Sequence, residues 1–256
     1  MYEVYAIKYA HHARRASENF IGGDPHDGPM PLDYFVWLLR GGGREVVVDC
    51  GFSAAMAAKR GRDHLRCPAE GLRLLGVDSR KVRDLVITHL HYDHVGNFEL
   101  FPQATLHVQD LEMRFTTGRH MCEERQRGAY EAEDVVGVVR RLFEGRVHCH
   151  DGDSELFPGV SLHLIGGHTM GLQVVRVATR RGALVLASDA SHFYANMEQS
   201  RPFPIVWSVA DMVAGYGRLR ELAESPAHII PGHDPLVMQR YAAPSKELEG
   251  IVVRLD

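Results

Sequence analysis

A layered α/β fold, with sheets packed together and helices outside, is what the chain predicts, and two observations carry it. Strand-like apolar runs come first, stretches with helically spaced apolar positions follow, and strands and then a helix return. The chain has 256 residues, a length at which sheet sandwiches with covering helices often form one unit, so residues 1–256 are expected to be a single domain. Its 45% apolar content is enough for a sizeable core. No repeat, low-complexity tract or long linker interrupts it.

Residues 2–8 read as a first strand, and His11 to Pro31, polar and rich in Gly and Pro, as a loop. Residues 34–39 and 45–49 read as strands joined by a hairpin at Gly41-Gly42-Gly43, and residues 52–76 as mainly helix. Asp84-Leu85-Val86-Ile87-Thr88 is a buried-strand pattern, and residues 105–108 form another. Residues 109–117 and about 130–143 have amphipathic helical spacing. Strands return from residue 147 to 188, including 160–164, 172–177 and 183–187, residues 207–224 read as helix, and 228–230 as a last strand.

The buried strand ends on Thr88-His89-Leu90-His91-Tyr92-Asp93-His94-Val95-Gly96, which places four metal-ligand side chains within six positions. Chance produces such a string roughly once in several hundred chains of this histidine content, so the motif is specific. Imidazoles and carboxylates suit zinc and other borderline divalent ions, whereas a structural zinc site favours thiolates. Four clustered donors also exceed what one zinc needs from one segment, so two ions are expected once distant ligands join. Three further strand ends offer them: Gly166-Gly167-His168-Thr169, Ser188-Asp189-Ala190 and Pro231-Gly232-His233-Asp234.

Together these segments resemble the metallo-β-lactamase superfamily, in order from the second strand to His233. The resemblance implies a four-layer αβ/βα sandwich of two mixed sheets with outer helices. It also implies that His89, His91 and His168 bind one metal, that Asp93, His94 and His233 bind the other, and that Asp189 bridges them. The pair Asp93 and His94 resembles the binuclear hydrolases rather than the flavodiiron oxidases. Within the hydrolases the segments look most like the N-acyl homoserine lactone lactonases of quorum quenching and related small-lactone hydrolases. Two positions depart from that subgroup: His192 stands where a Tyr often contacts the substrate carbonyl, with Tyr194 two positions on, and Leu172 stands where a second His often follows.

Two divalent cations, with zinc the favoured metal, lower the pKa of a bridging water towards neutrality and supply a hydroxide nucleophile. The expected reaction is therefore hydrolysis of a small molecule with a reactive carbonyl, in the first place opening of a lactone ring. Asp93 is expected to help deliver a proton to the leaving oxygen, and His192 or Tyr194 to donate to the carbonyl oxygen. A thioester (glyoxalase-type), cyclic amide or phosphoester hydrolase is the alternative on the same ligands, and a non-catalytic module stabilised by metal a more distant one.

A formal charge of −4 with dispersed Lys and Arg lacks the footprint of nucleic-acid binding. No leader pattern or run of roughly 18 apolar residues appears, so no membrane partner is expected. Four cysteines without a C-x-x-C pair fit reduced thiols in the cytoplasm. A homodimer is compatible with the sequence. The N-terminal histidines His11, His12 and His26 are candidates to cover the pocket mouth, and His148-Cys149-His150 is given no catalytic part.

Overall fold

The computed structural model describes residues 1–256. Its strands are β1 (Glu3–His12), β2 (Leu32–Gly41), β3 (Arg44–Val48), β4 (Asp63–His64), β5 (Asp84–Val86), β6 (Thr105–Gln109), β7 (Val147–His150), β8 (Ser154–Phe157), β9 (Val160–Leu164), β10 (Gln173–Thr179), β11 (Gly182–Ser188), β12 (Ile229–Pro231) and β13 (Val252–Arg254). Its helices are α1 (Ala54–Arg60), α2 (Pro68–Leu74), α3 (Tyr92–Val95), α4 (Asp110–Thr116), α5 (Glu124–Arg127), α6 (Ala132–Phe143), α7 (Tyr194–Glu198), α8 (Val209–Leu222) and α9 (Val237–Arg240).

The first sheet runs β13-β1-β2-β3-β5-β6-β7, with β4 added beside β1, and the second runs β12-β11-β10-β9-β8. Both are mixed. β3, β5, β6 and β7 are mutually parallel, as are β11 and β12, while the remaining neighbours are antiparallel.

The unbroken apolar run in β2 has a physical reason. Successive side chains on a strand point to opposite faces, so a strand covered on both faces needs apolar residues at every position. Phe35, Trp37 and Leu39 face the second sheet and join β10, β11 and α8 in one core. Tyr34, Val36 and Leu38 face outward and join α1, α2, α4 and α6 in the other. Helices, sheet, sheet and helix thus form the four layers that the family resemblance implied.

The structure refines the sequence reading in three places. Residues 52–76, read as mainly helix, hold two helices: α1 ends at Gly61, whose φ of 63° needs the left-handed region, and α2 restarts at Pro68, with β4 between them. The first strand continues to His12 because it pairs with β2 through Leu32, past a bulge between Lys8 and Ala10. β13 went unread because three residues at the end of the chain gain a strand only by pairing with the edge of β1. No helix is long and apolar enough to cross a membrane.

Candidate metal centre

Four chain segments converge beyond the carboxyl ends of β5, β9, β11 and β12, the side on which open α/β sheets place their ligands. The loop after β5 carries His89, His91, Asp93 and His94; the β9–β10 loop carries His168; the ends of β11 and β12 carry Asp189 and His233. The site lies where the two sheets meet, and all seven side chains are buried or nearly so.

His89 Nε2, His91 Nδ1 and His168 Nε2 face one another at 2.9, 2.9 and 3.2 Å. His168 Nδ1 donates to the Ile205 carbonyl at 2.7 Å, so its Nε2 presents a lone pair. Bare nitrogens at such spacing repel, whereas a tetrahedral zinc with Zn–N near 2.0–2.1 Å spaces its nitrogens by about 3.3 Å. The donor set therefore fits a cation.

On the other side His94 Nε2 and His233 Nε2 lie 3.6 and 3.7 Å from Asp93 Oδ2. Asp189 stands between the two trios. Its Oδ1 is 3.3 Å from His94 and 3.0 Å from His233, while its Oδ2 is 3.3 Å from His168 and 3.9 Å from His89. Two buried atoms, His94 Nε2 and Asp189 Oδ1, make no proper hydrogen bond, as expected of donors aimed at a metal rather than at each other.

The surrounding residues fix these orientations. Asp49 accepts from His94 Nδ1 at 2.7 Å and from Thr88 N and Oγ1 at 2.8 Å each, and His233 Nδ1 donates to the Asp33 carbonyl at 3.0 Å. Thr88 Oγ1 also meets Ser188 Oγ at 2.8 Å, tying the first sheet to the second. Asp49 and Ser188 both hold positive φ, 58° and 44°, a strain stored next to the site. Glu112, fully buried on α4, accepts from Leu90 N (3.0 Å) and Tyr130 OH (3.1 Å) on one oxygen, and from Thr169 Oγ1 (2.6 Å) and Gly171 N (3.2 Å) on the other. It clamps the His89–His91 loop to the His168 loop. Burial nonetheless leaves its carboxyl pKa raised against these four donors.

Burial, reinforced by neighbouring imidazoles, holds His89 and His91 well below the usual imidazole range, and burial takes His168 to about 4. All three are neutral and ready to ligate. For His94 and His233 burial also disfavours charge, but Asp189 foremost, then Asp49 and Asp93 at His94 and Asp93 at His233, overcome it and raise both. Burial works against the Asp189 carboxylate, yet His233, His94 and His192 keep its pKa well below the carboxylate range.

A cavity of about 380 Å³ opens onto this cluster, with His91, Asp93, His168, Asp189, His192 and His233 on its floor. His192 Nε2 lies 2.9 Å from Asp189 Oδ2, and its ring stacks on Phe203 at 3.5 Å. A carboxylate only accepts, so Nε2 carries the proton and Nδ1 is bare; with burial lowering the His192 pKa to about 4, the ring has no second proton to give a carbonyl. Tyr194 does not line the cavity. It opens α7, whose turn sends its ring into the inter-sheet core under the Arg240 guanidinium at 3.7 Å. Of the N-terminal histidines only His12 lines the cavity; His11 bonds to Asp33, and His26 is exposed. His148 and His150 lie beside His107 on the first sheet, apart from the cavity.

A model of the metallo-beta-lactamase superfamily matches residues 30–242. The chain belongs to the metallo-beta-lactamase superfamily. Among curated members it is 30% identical over 174 residues to the N-acyl homoserine lactonase AttM of Rhizobium johnstonii, covering 64% of this chain. That match spans 62% of the Rhizobium protein's length. It is 27% identical over 211 residues to a probable metallo-hydrolase of Mycobacterium tuberculosis, covering 74% of this chain and 67% of that one. Among solved metallo-beta-lactamase folds, an N-acyl homoserine lactone hydrolase with its product N-hexanoyl-L-homoserine at the catalytic metal centre superposes with a TM-score of 0.78. At 21% identity it covers 94% of this chain and 97% of the other, and shows the shared fold.

Proposed function

We propose that residues 1–256 act as a single unit, a metal-dependent hydrolase that opens the ring of a lactone. The observation that carries this reading is Asp189, which turns one oxygen to each trio at the floor of an open cavity. In this reading His89, His91 and His168 hold one divalent cation, Asp93, His94 and His233 hold a second, and Asp189 serves both. Bound there, the cations, zinc by preference of the donors, supply Lewis acidity that ionises water near neutral pH and polarises a carbonyl. The lactonase names among the relatives support the choice of a lactone over other carbonyl substrates.

The chain's own residues then divide the work. His192 holds Asp189 in place by hydrogen bond, a positioning role instead of the carbonyl donor expected from sequence. Asp93 keeps one edge open to the cavity, where its carboxylate can take the proton given up by the attacking water and pass it to the departing alkoxide. His168, His233 and His94, each anchored through Nδ1, keep their Nε2 atoms aimed without reorganisation.

Elemental analysis of the purified protein, coupled to pH-stat assay against acyl homoserine lactones and simple γ-lactones, tests the proposal. Two metals per chain with acid release, both lost in Asp189→Ala, are expected. Two metals without lactone turnover would move the reaction to thioesters, amides or phosphoesters, and no metal under replete conditions would end the hydrolase reading.

A further inference from the structure

The wall of the cavity is unlike its floor. Only 8 of its 23 lining residues are hydrophobic, and Arg14, Arg60, Arg62 and the exposed Arg125 stand among the rest. Arg60 is satisfied: it pairs with Glu131 at 2.7 Å and lies over the Tyr92 ring at 3.9 Å. Arg62 is not. Thrown toward the cavity by the left-handed turn at Gly61, it donates Nε to Tyr92 OH at 3.2 Å and Nη1 to the Arg60 carbonyl at 2.6 Å. No carboxylate pairs with it, and three of its five N–H groups have no protein partner. Arg14 donates to the Glu18 carbonyl at 2.6 Å, but the nearest Glu18 carboxylate oxygen is 3.8 Å away on a half-exposed side chain.

Two partly buried guanidiniums thus share one cavity, Arg62 with no paired carboxylate and Arg14 with only the Glu18 carboxylate at 3.8 Å, an arrangement that costs free energy until an anion joins it. Burial first, then Arg62 and Arg14, drive the nearby His12 down to about 4, so the protein keeps that side chain neutral beside them. The two cations also flank the cluster: Arg14 bears electrostatically on His192, and Arg62 on Asp93. Asp93 and Asp189 do not serve as their counter-charge in the reading above, because two divalent cations more than neutralise both carboxylates. Guanidinium forks match the two oxygens of a carboxylate or the oxygens of a phosphate.

We infer that the cavity is built for a substrate carrying an oxyanion, a carboxylate or a phosphate, held by Arg62 and Arg14 while its reactive carbonyl meets the metal centre. This rests on the hydrolase reading and narrows its substrate class, away from neutral long-chain acyl lactones. The test compares N-glutaryl homoserine lactone, a phosphonate-tailed analogue and the neutral N-hexanoyl homoserine lactone on the metal-replete full chain. The anionic tails should exceed the neutral one in kcat/KM by about 10- to 100-fold, mainly through KM, and whichever tail wins identifies the oxyanion. That ratio should fall towards unity in Arg62→Met, fall partly in Arg14→Met and be largely kept in Arg62→Lys. A neutral substrate turned over as well as the anionic ones overturns the inference and leaves the hydrolase standing. If no lactone is turned over, binding of glutarate by calorimetry decides. Affinity at least about tenfold weaker in Arg62→Met, with glutaramide not bound, supports the anion site, and equal affinities overturn it.

Discussion

Replacing Glu112 by glutamine exchanges one oxygen for an NH₂ group, yet it should loosen one half of the metal centre. Both carboxylate oxygens accept two hydrogen bonds each. The hydroxyls of Tyr130 and Thr169 can rotate to accept from the new amide, but a backbone N–H cannot. Whichever way the amide turns, either Leu90 N or Gly171 N is left buried and unpaired, at about 1–3 kcal/mol. At about 2–4 °C per kcal/mol for a chain of this size, melting should fall by roughly 4–8 °C for a cost near the middle of that range. Leu90 lies between His89 and His91, and Thr169 follows His168, so the metal held by that trio should weaken by about 10- to 100-fold while the other is less affected. Calorimetry and release of metal to a chromophoric chelator read both effects. A variant with unchanged melting temperature that releases both metals at the original rates refutes the clamp.

Two further outcomes follow from other parts of the structure. His192→Phe preserves the stack on Phe203 but loses the bond to Asp189, so both metals should be retained while kcat/KM falls by about 10- to 100-fold; unchanged kinetics would remove His192 from the site. Asp134, partly buried on α6 near Glu131, has its pKa raised by burial to about 6. A raised carboxyl contributes its stability below the ordinary pKa near 4 and loses it as pH rises through about 6. The ionised form then costs up to about 3 kcal/mol, cut by solvent at this partly exposed position to about 1 kcal/mol. Asp134→Asn should therefore raise the stability measured by urea unfolding at pH 7–8 by about that amount and change nothing at pH 4; an equal gain at both pH values would contradict the assignment.

The metal-ligand candidates were legible because they stand in a dense motif or directly after apolar strands, and a side chain at the end of a strand has few places to point. Asp49 also follows an apolar strand, but without a second candidate donor beside it, and Glu112 left no signal at all. A lone carboxylate at a strand terminus or in a helix reads as a turn or a solvated face, and only the folded packing shows Asp49 buried beneath three donors and Glu112 beneath four. Arg62 was equally silent, since a surface arginine and one turned into a cavity differ only in the path of the chain past Gly61. Tyr194 erred in the opposite direction: proximity in sequence to Asp189 placed it near the chemistry, and the turn into α7 took it away. β2 was read as a strand from its unbroken apolar run, whereas the division of that run between two cores shows only in the folded chain. The short strands β4 and β13 exist only by pairing with β1.

The span of chain between the paired ligands has a mechanical meaning. His91 and His168, facing one another at one trio, are 77 residues apart, and Thr88 meets Ser188 across 100. A metal at such a crossing behaves as a reversible cross-link, fastening a segment from the first sheet to one from the second. The cost of closing so large a ring in the disordered chain grows only slowly with its length, so the tie is at its most useful where the ring is longest. Loading the site should then slow the parting of the two sheets more than it alters either sheet alone, and the lifetime of the folded chain becomes a function of the free metal around it.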